Sequence, residues 1–410
     1  MAYQYDLTII GGGIIGLATA LKITEAYPRT RLLVLEKEAK LAQHQTGHNS
    51  GVIHSGLYYR PGSLKARTCV SGGKALVAFC DQNGIPYDRC GKVVVATSSE
   101  ELPRLEELHR RGIANGLEGL EMIGPERLKE LEPHATGIKA LVVPATGIID
   151  YKKVADAYAE KIRAMGGDIR TSHRVLGILE REGELVLQTS QGDYRTRRLI
   201  NCGGLYSDIV ARMMHTSENP ATQEEHKIIP FRGEYYKISP ERQFLVRNLI
   251  YPVPDPTFPF LGVHFTRMIN GGVEAGPNAV FALAREGYRK TDVNIGELWR
   301  TVSFKGFWAM TGKYWQTGLG ELHRSLSKSA FVKALQKLLP EITESDLIPG
   351  GAGVRAQAVS ASGALVDDFV IKQSSNAIHV LNAPSPGATA SLAIGQSIAE
   401  MAAKNFDLKI

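Results

Sequence analysis

Tyr5-Asp6-Leu7-Thr8-Ile9-Ile10-Gly11-Gly12-Gly13-Ile14-Ile15-Gly16 decides the fold. Its first half is apolar and β-rich, the pattern of a buried parallel strand. Its second half fits G-x-G-x-x-G directly behind that strand. Leu17 to Tyr27 continues as an amphipathic helix, and Arg31 to Leu35 forms a second strand ending at Glu36. Strand, glycines, helix, strand and acid in this register specify a dinucleotide-binding βαβ unit. Gly11 permits the tight turn, Gly13 lets a pyrophosphate reach the backbone, and Gly16 lets helix and strand pack closely. The helix N-terminus, around Ile15, turns free N–H groups and its positive dipole end toward the phosphates. Glu36, twenty residues beyond Gly16, stands where such folds put a ribose-binding carboxylate, with Lys37 beside it as a further contact.

The next segment separates two dinucleotides. A nicotinamide domain would continue in further β-α units of regular length. Leu41 to Tyr59 is instead polar and rich in small residues, with Gln43-His44-Gln45-Thr46-Gly47-His48-Asn49-Ser50-Gly51-Val52-Ile53-His54-Ser55-Gly56. Such a stretch suits an extended cofactor lying along it, which favours FAD over NAD.

Composition agrees with an enzyme of this kind. The 410 residues are 43% hydrophobic and 22% charged, the balance of a globular chain with room for two or three domains. Glycine stands at 42, where a background of roughly 7% would give about 29, so many positions turn sharply or approach a ligand closely. No apolar run reaches the length of a membrane span. The N-terminus enters a strand at once, so neither signal nor transit peptide is expected and the protein is expected in the cytoplasm. Cys69, Cys80, Cys90 and Cys202 form no C-x-x-C pair and read as reduced thiols, and no metal site is expected. The formal charge of +6 favours anionic partners, but no nucleic-acid motif accompanies it.

The arrangement resembles the D-amino-acid-oxidase-like FAD-dependent oxidoreductases over essentially the whole chain. Three strings carry the resemblance: Thr46-Gly47-His48-Asn49-Ser50-Gly51, Leu199-Ile200-Asn201-Cys202-Gly203-Gly204-Leu205-Tyr206-Ser207, and Ser385-Pro386-Gly387-Ala388-Thr389 before a helix from Ala390 to Lys404. Within that family, Asn49 to Lys65, Phe260-Leu261-Gly262-Val263-His264-Phe265-Thr266 and Gly276-Pro277-Asn278-Ala279 are similar to the members that oxidise L-2-hydroxyglutarate. The absent leader points to a bacterial member. The resemblance implies that Thr46, His48, Asn49, Ser50, Cys202 and Gly203 wrap the pyrophosphate and flavin. It implies that Val175 lends backbone to the adenine, and that Gly387, Ala388 and Thr389 aim a helix N-terminus at the flavin pyrimidine edge.

The implied fold class is α/β: a discontinuous Rossmann-type FAD-binding domain with a second α+β substrate domain built on an antiparallel sheet. The cofactor domain is expected at Met1 to Arg89, Ala145 to Thr222 and Leu347 to Ile410. The substrate domain is expected at Cys90 to Pro144 and Gln223 to Asp346, with strands at Ile228 to Ile238, Asn248 to Val253 and Phe260 to Arg267. Asn270-Gly271 is a hairpin turn leading to Val273 to Ala275. Thr291 to Pro340 reads as consecutive helices holding Trp299, Trp308 and Trp315 interleaved with lysines and arginine. That segment is either an ordinary helical layer or a basic, aromatic face for the cytoplasmic side of an inner membrane, where a quinone would accept electrons in place of oxygen.

Oxidising a 2-hydroxy acid requires hydride departure from the α-carbon and a base for the hydroxyl proton. Histidine suits the second task. His54, in the flavin-loop segment, is the first candidate and His264, on a predicted strand, the second. Carboxylates require fixed cations, preferably guanidinium. Arg355, after Gly350-Gly351-Ala352-Gly353, is the first choice, with Arg232 and Lys65 for the second carboxylate and Tyr251 and Asn278 as further donors. A dicarboxylate preference comes from the resemblance alone. Other readings on the same scaffold are an amine, amino-acid or glycerol-3-phosphate oxidoreductase, and a non-enzymatic FAD-fold carrier, which would need a long apolar groove and no histidine-bearing loop. The sequence does not speak to oligomeric state.

Overall fold

Two large sheets and a small one organise the residues that this computed structural model describes, 4–181, 183–214, 226–255 and 261–408. In the first sheet Tyr5–Ile10 lies between Leu32–Leu35 and Gly192–Asn201, parallel to both. Asp168–Arg170 extends one side, and the hairpin of Val175–Arg181 and Glu184–Thr189 extends the other. Ala377–Asn382 also runs parallel to Gly192–Asn201 and carries Val370–Gln373 antiparallel beyond it.

Both faces of this sheet are covered, which is why its central strands are apolar throughout. Leu7 and Ile9 pack against the helices Ile14–Ala26, Tyr151–Ala164 and Ser391–Phe406, while Leu33, Leu35 and Leu199 meet Val175, Leu185 and Leu187. Each fully buried Leu or Ile there contributes about 1.5–3 kcal/mol. The first and last helices pack closely enough that a Cβ on Gly395 would lie 2.7 Å from the Ala18 backbone.

The second sheet runs in the order Val280–Phe281, His226–Ile238, Val273–Gly276, His264–Arg267, Leu249–Pro252, Lys92–Ala96, Lys139–Val143 and Glu121–Ile123. Its pairings are antiparallel except that Leu249–Pro252 runs parallel to Lys92–Ala96. Leu347–Ser360 pairs along the whole of His226–Ile238, from His226 opposite Ser360 to Ile238 opposite Leu347. The stretch from Leu347, expected in the cofactor domain, thus begins with a strand of the second sheet, and the chain returns to the first sheet at Val370. Glycine-rich Ile348 to Gly353 offers no alternating pattern from which its partner could be read. The expected boundary at Thr222 and Gln223, and Phe260 of the expected third strand, lie outside the described residues.

A small sheet of Val52–Ile53, Gly147–Ile149 and Tyr87–Asp88 joins the two bodies. The helical segment comprises Ile295–Val302, Lys305–Leu326 and Lys328–Leu335, the second kinked at Tyr314. Its Phe304, Met310, Phe331 and Leu335 are buried, whereas Trp299, Trp308 and Trp315 are 69%, 60% and 54% exposed. Among the described residues no helix is long and apolar enough to cross a membrane, and the four cysteines are free thiols.

Candidate active site

One cavity of about 1240 Å³ runs between the two sheets. That exceeds the roughly 300–1,000 Å³ of a pocket for one drug-sized ligand and suits an extended dinucleotide with a small substrate at its end. The glycine turn forms its floor. Gly11 has φ +114°, and a Cβ there would lie 2.3 Å from the Cys202 carbonyl oxygen, so only glycine fits. Gly16 does not line the cavity; a Cβ on it would strike the Gly11 carbonyl, which is the close helix–strand packing expected of it.

The first helix starts with neither a side-chain cap from its own N-cap residue nor an acid in its first turn. Thr46 supplies a partial cap, its Oγ1 accepting from the Ile14 N–H at 3.0 Å. The Gly13 and Ile15 backbones line the cavity beside it, so the positive end of the helix is presented to whatever lies there. Glu36 accepts from the Gly12 N–H at 2.7 Å and from the Glu38 N–H at 2.9 Å, which fixes its carboxylate at the strand tip. His173, Arg174 and Val175 close that end.

The other two strings reach the same cavity. Asn201 accepts from the Gly203 N–H at 3.0 Å and donates to the Ser207 carbonyl, shaping the turn, while the buried Arg285–Asp208 pair ties that turn to the second body. Thr389 Oγ1 accepts from the His54 N–H at 3.1 Å and lies 2.8 Å from the Tyr151 hydroxyl, which itself donates to the Val52 carbonyl. Thus Ser50, Gly203 and Gly387, far apart in sequence, face one space. One detail differs from expectation. The Gly387 N–H is taken by the Pro384 carbonyl at 2.9 Å, so the donors left at that end belong to Ala388 and Thr389. The helix that follows has no acid in its first turn.

The donor set fits FAD: a turn that excludes a Cβ at Gly11, two helix starts with no acid in the first turn and no cap from their own N-cap residue, and a carboxylate held for ribose hydroxyls. Gly11, Gly13, Ile15, Glu36, Thr46, His48, Asn49, Ser50, Val175, Cys202, Gly203, Gly387, Ala388 and Thr389 all line the cavity. Lys37 lines it too, with Nζ bonded to Glu38, to Glu286 at 2.6 Å and to His44 at 2.9 Å. Glu38, His44 and Glu286 would otherwise offer metal ligands, but the lysine already occupies their centre. The network, with His48 stacked on Tyr288, bolts the two bodies together over the cofactor channel.

Beyond Thr389 the cavity is lined by His54, Tyr58, Tyr59, Lys65, Tyr235, Tyr251, His264, Arg355 and Asp367. His264 donates Nδ1–H to the Gly262 carbonyl at 2.8 Å, leaving Nε2 as the ring's proton acceptor. Its ring lies 3.9 Å from that of Tyr251. Burial pushes both imidazoles down to about 3; nearby Lys92 adds to this at His54, and Arg355, Lys92 and His54 at His264. Both rings are therefore neutral. Burial also lowers the Arg355 ionisation and pushes the Tyr235 phenol up to about 12.

Two expected substrate ligands are elsewhere. Along His226–Ile238 side chains alternate between faces, and Gly233 and Tyr235 face the cavity. Arg232 faces away, paired with Glu234 at 2.9 Å and donating to the Arg289 carbonyl. Asn278 likewise donates to Glu234 at 2.9 Å and accepts from its N–H. Lys65 reaches the cavity but is paired with Asp367 at 2.7 Å. Tyr58, Tyr59 and Tyr235 carried no expected role, although the same alternation that excludes Arg232 points to Tyr235.

The FAD dependent oxidoreductase (DAO) family pattern matches residues 6–401. An L-2-hydroxyglutarate dehydrogenase from Indibacter alkaliphilus is 56% identical, the alignment covering 98% of this chain and all of that one. The L-2-hydroxyglutarate dehydrogenase of Escherichia coli K12 is 47% identical over 96% of this chain and 92% of its own. Among solved structures, the dithionite-reduced L-α-glycerophosphate oxidase of Mycoplasma pneumoniae with FAD bound superposes with a TM-score of 0.78 at 23% identity, over 100% of this chain and 96% of that one, and shares the fold. Glycine turn, three-string cavity and these likenesses agree: the chain belongs to the FAD dependent oxidoreductase family, in its L-2-hydroxyglutarate dehydrogenase group.

Proposed function

We propose that this chain oxidises L-2-hydroxyglutarate to 2-oxoglutarate with FAD. The observation that carries the reading is the cavity end beyond Thr389, where two neutral histidines and a half-buried arginine stand beside the residues that would hold the flavin. Bound FAD supplies the acceptor for the hydride that leaves the α-carbon. The protein's residues do the rest. Arg355 pairs with the carboxylate next to the reacting carbon. A neutral imidazole, at His54 or at Nε2 of His264, takes the hydroxyl proton as alkoxide character develops. The substrate's negative charges offset Arg355 and Lys92, which favours the protonated ring once substrate is seated. The aromatic lining of Tyr58, Tyr59, Tyr235 and Tyr251 keeps water from the reacting carbon.

Anaerobic mixing of the holoenzyme with substrate tests this. L-2-hydroxyglutarate should bleach the flavin while its D-isomer, glycine, sarcosine and glycerol 3-phosphate do not. Bleaching by an amine or by glycerol 3-phosphate alone would replace the reading with the corresponding oxidoreductase.

For the electron acceptor we favour a membrane quinone over oxygen. Trp299, Trp308, Trp315, Leu319 and Leu326 are exposed on consecutive helices that also carry Arg300, Lys305 and Lys313, a pairing suited to anionic lipid. Flotation with anionic vesicles should carry the protein upward at low salt and release it at high salt. Failure to float would remove the membrane reading.

A further inference from the structure

Lys92 is only 3% exposed and the chemistry above leaves it without a task of its own. It begins the strand Lys92–Ala96, whose Val93 and Val95 join one core while Val94 and Ala96 join another that includes Tyr251 and Leu57. Alternation puts Lys92 on the Val94 face. Its Nζ lies 4.4 Å from the ring centre of Tyr58 and 4.9 Å from that of Tyr251, and it donates to the Tyr58 hydroxyl at 3.3 Å. Among the described residues no carboxylate pairs with it, and burial pushes its ammonium down to about 7. A buried cation without an anion is disfavoured, and such a group is retained where a ligand brings the charge.

The two cations expected for the second carboxylate are already paired: Lys65 with Asp367, and Arg232 with Glu234. Tyr58 lines the cavity while Lys92 stands behind it. Because the Tyr58 oxygen accepts from the ammonium, its own O–H is left to donate, and the adjacent charge strengthens that donation.

We propose that Lys92 is a positioning residue for the second carboxylate of the substrate, acting through the Tyr58 hydroxyl, so that the pair selects dicarboxylates over monocarboxylates. This rests on the 2-hydroxy-acid reading and deepens it. Loss of one charge-assisted hydrogen bond corresponds to roughly 10- to 150-fold in affinity.

The test uses the FAD-loaded enzyme, with glutarate and valerate as unreactive ligands followed by flavin absorbance, and L-2-hydroxyglutarate and L-2-hydroxyvalerate as substrates. Lys92→Met keeps the stem and removes the charge; Tyr58→Phe removes only the hydroxyl. Both should raise the glutarate Kd and the L-2-hydroxyglutarate KM by roughly 10- to 150-fold, leave kcat within about threefold, and leave valerate binding unchanged. An equal loss for both ligands, a fall in kcat with KM unchanged, or no change overturns the proposal. If Lys92→Met fails to retain flavin, Tyr58→Phe decides alone. A wild-type enzyme that binds valerate as well as glutarate sinks the dicarboxylate reading and this assignment together. A wild-type preference that survives both substitutions sinks only the assignment.

Discussion

Replacing Lys92 by Met should stabilise the fold near neutral pH and abolish a pH dependence of stability. A lysine ordinarily titrates near 10.5, and burial brings this one to about 7. Below that value the ammonium is charged in both folded and unfolded chains. Holding it inside then costs about 1.36 kcal/mol for each of some 3.5 pH units, roughly 5 kcal/mol. Between about pH 7 and 10.5 the folded chain carries the neutral amine while the unfolded chain keeps its proton, so stability rises with pH. Integrated from about pH 6 to about 9.5, the wild type gains roughly 3 kcal/mol that the variant does not. At about 2.1 cal/mol/K per residue over 410 residues, that is about 3–4 °C in Tm. The assay is thermal unfolding of both holoenzymes across this range, with the difference in Tm plotted against pH. The variant should lead by the widest margin in acid and the gap should close in alkali. A gap that does not vary with pH would refute the buried, unpaired ammonium.

Gly11→Ala should abolish flavin binding, because its Cβ meets the Cys202 carbonyl at 2.3 Å in a left-handed backbone; an unchanged ratio of flavin to protein absorbance would contradict this. Arg355→Met should raise the L-2-hydroxyglutarate KM by roughly 30-fold, as truncating one partner of a charge pair that the seated substrate shields from water does, and an unaltered KM would remove Arg355 from the substrate. Gly387→Asp should place an anion beside the helix that starts at Ser391, weakening flavin retention and lowering its reduction potential, so equal occupancy and potential would displace that helix from the flavin edge.

The cofactor half of the site was legible because its signal is local. The glycine turn, the helix behind it and Glu36 occupy three dozen residues, and Gly11 and Gly16 each have a backbone reason that the structure displays. The strings around Ser50, Gly203 and Gly387 were legible only through the resemblance, since nothing in their spacing says that they meet. The substrate half was harder. Arg232 and Tyr235 stand three apart on one strand, so only one of them can face a ligand, and charge was the wrong guide. Lys92 had a signal in Gly91-Lys92-Val93-Val94-Val95, a lone cation entering an apolar strand, but its significance depends on Tyr58 and Tyr251 standing over it. The pairing of Leu347–Ser360 with His226–Ile238 joins residues more than a hundred positions apart, beyond any local pattern.

The Thr389 hydroxyl grips the backbone of Val52 and His54 across more than three hundred positions. The glycine turn near the start of the sequence is one wall of the cavity, and the wall opposite is complete only when Ser391–Phe406 seats on Ile14–Ala26. A chain that stops short of Ser391–Phe406 should therefore remain colourless, with the apolar face of Ile14–Ala26 left uncovered.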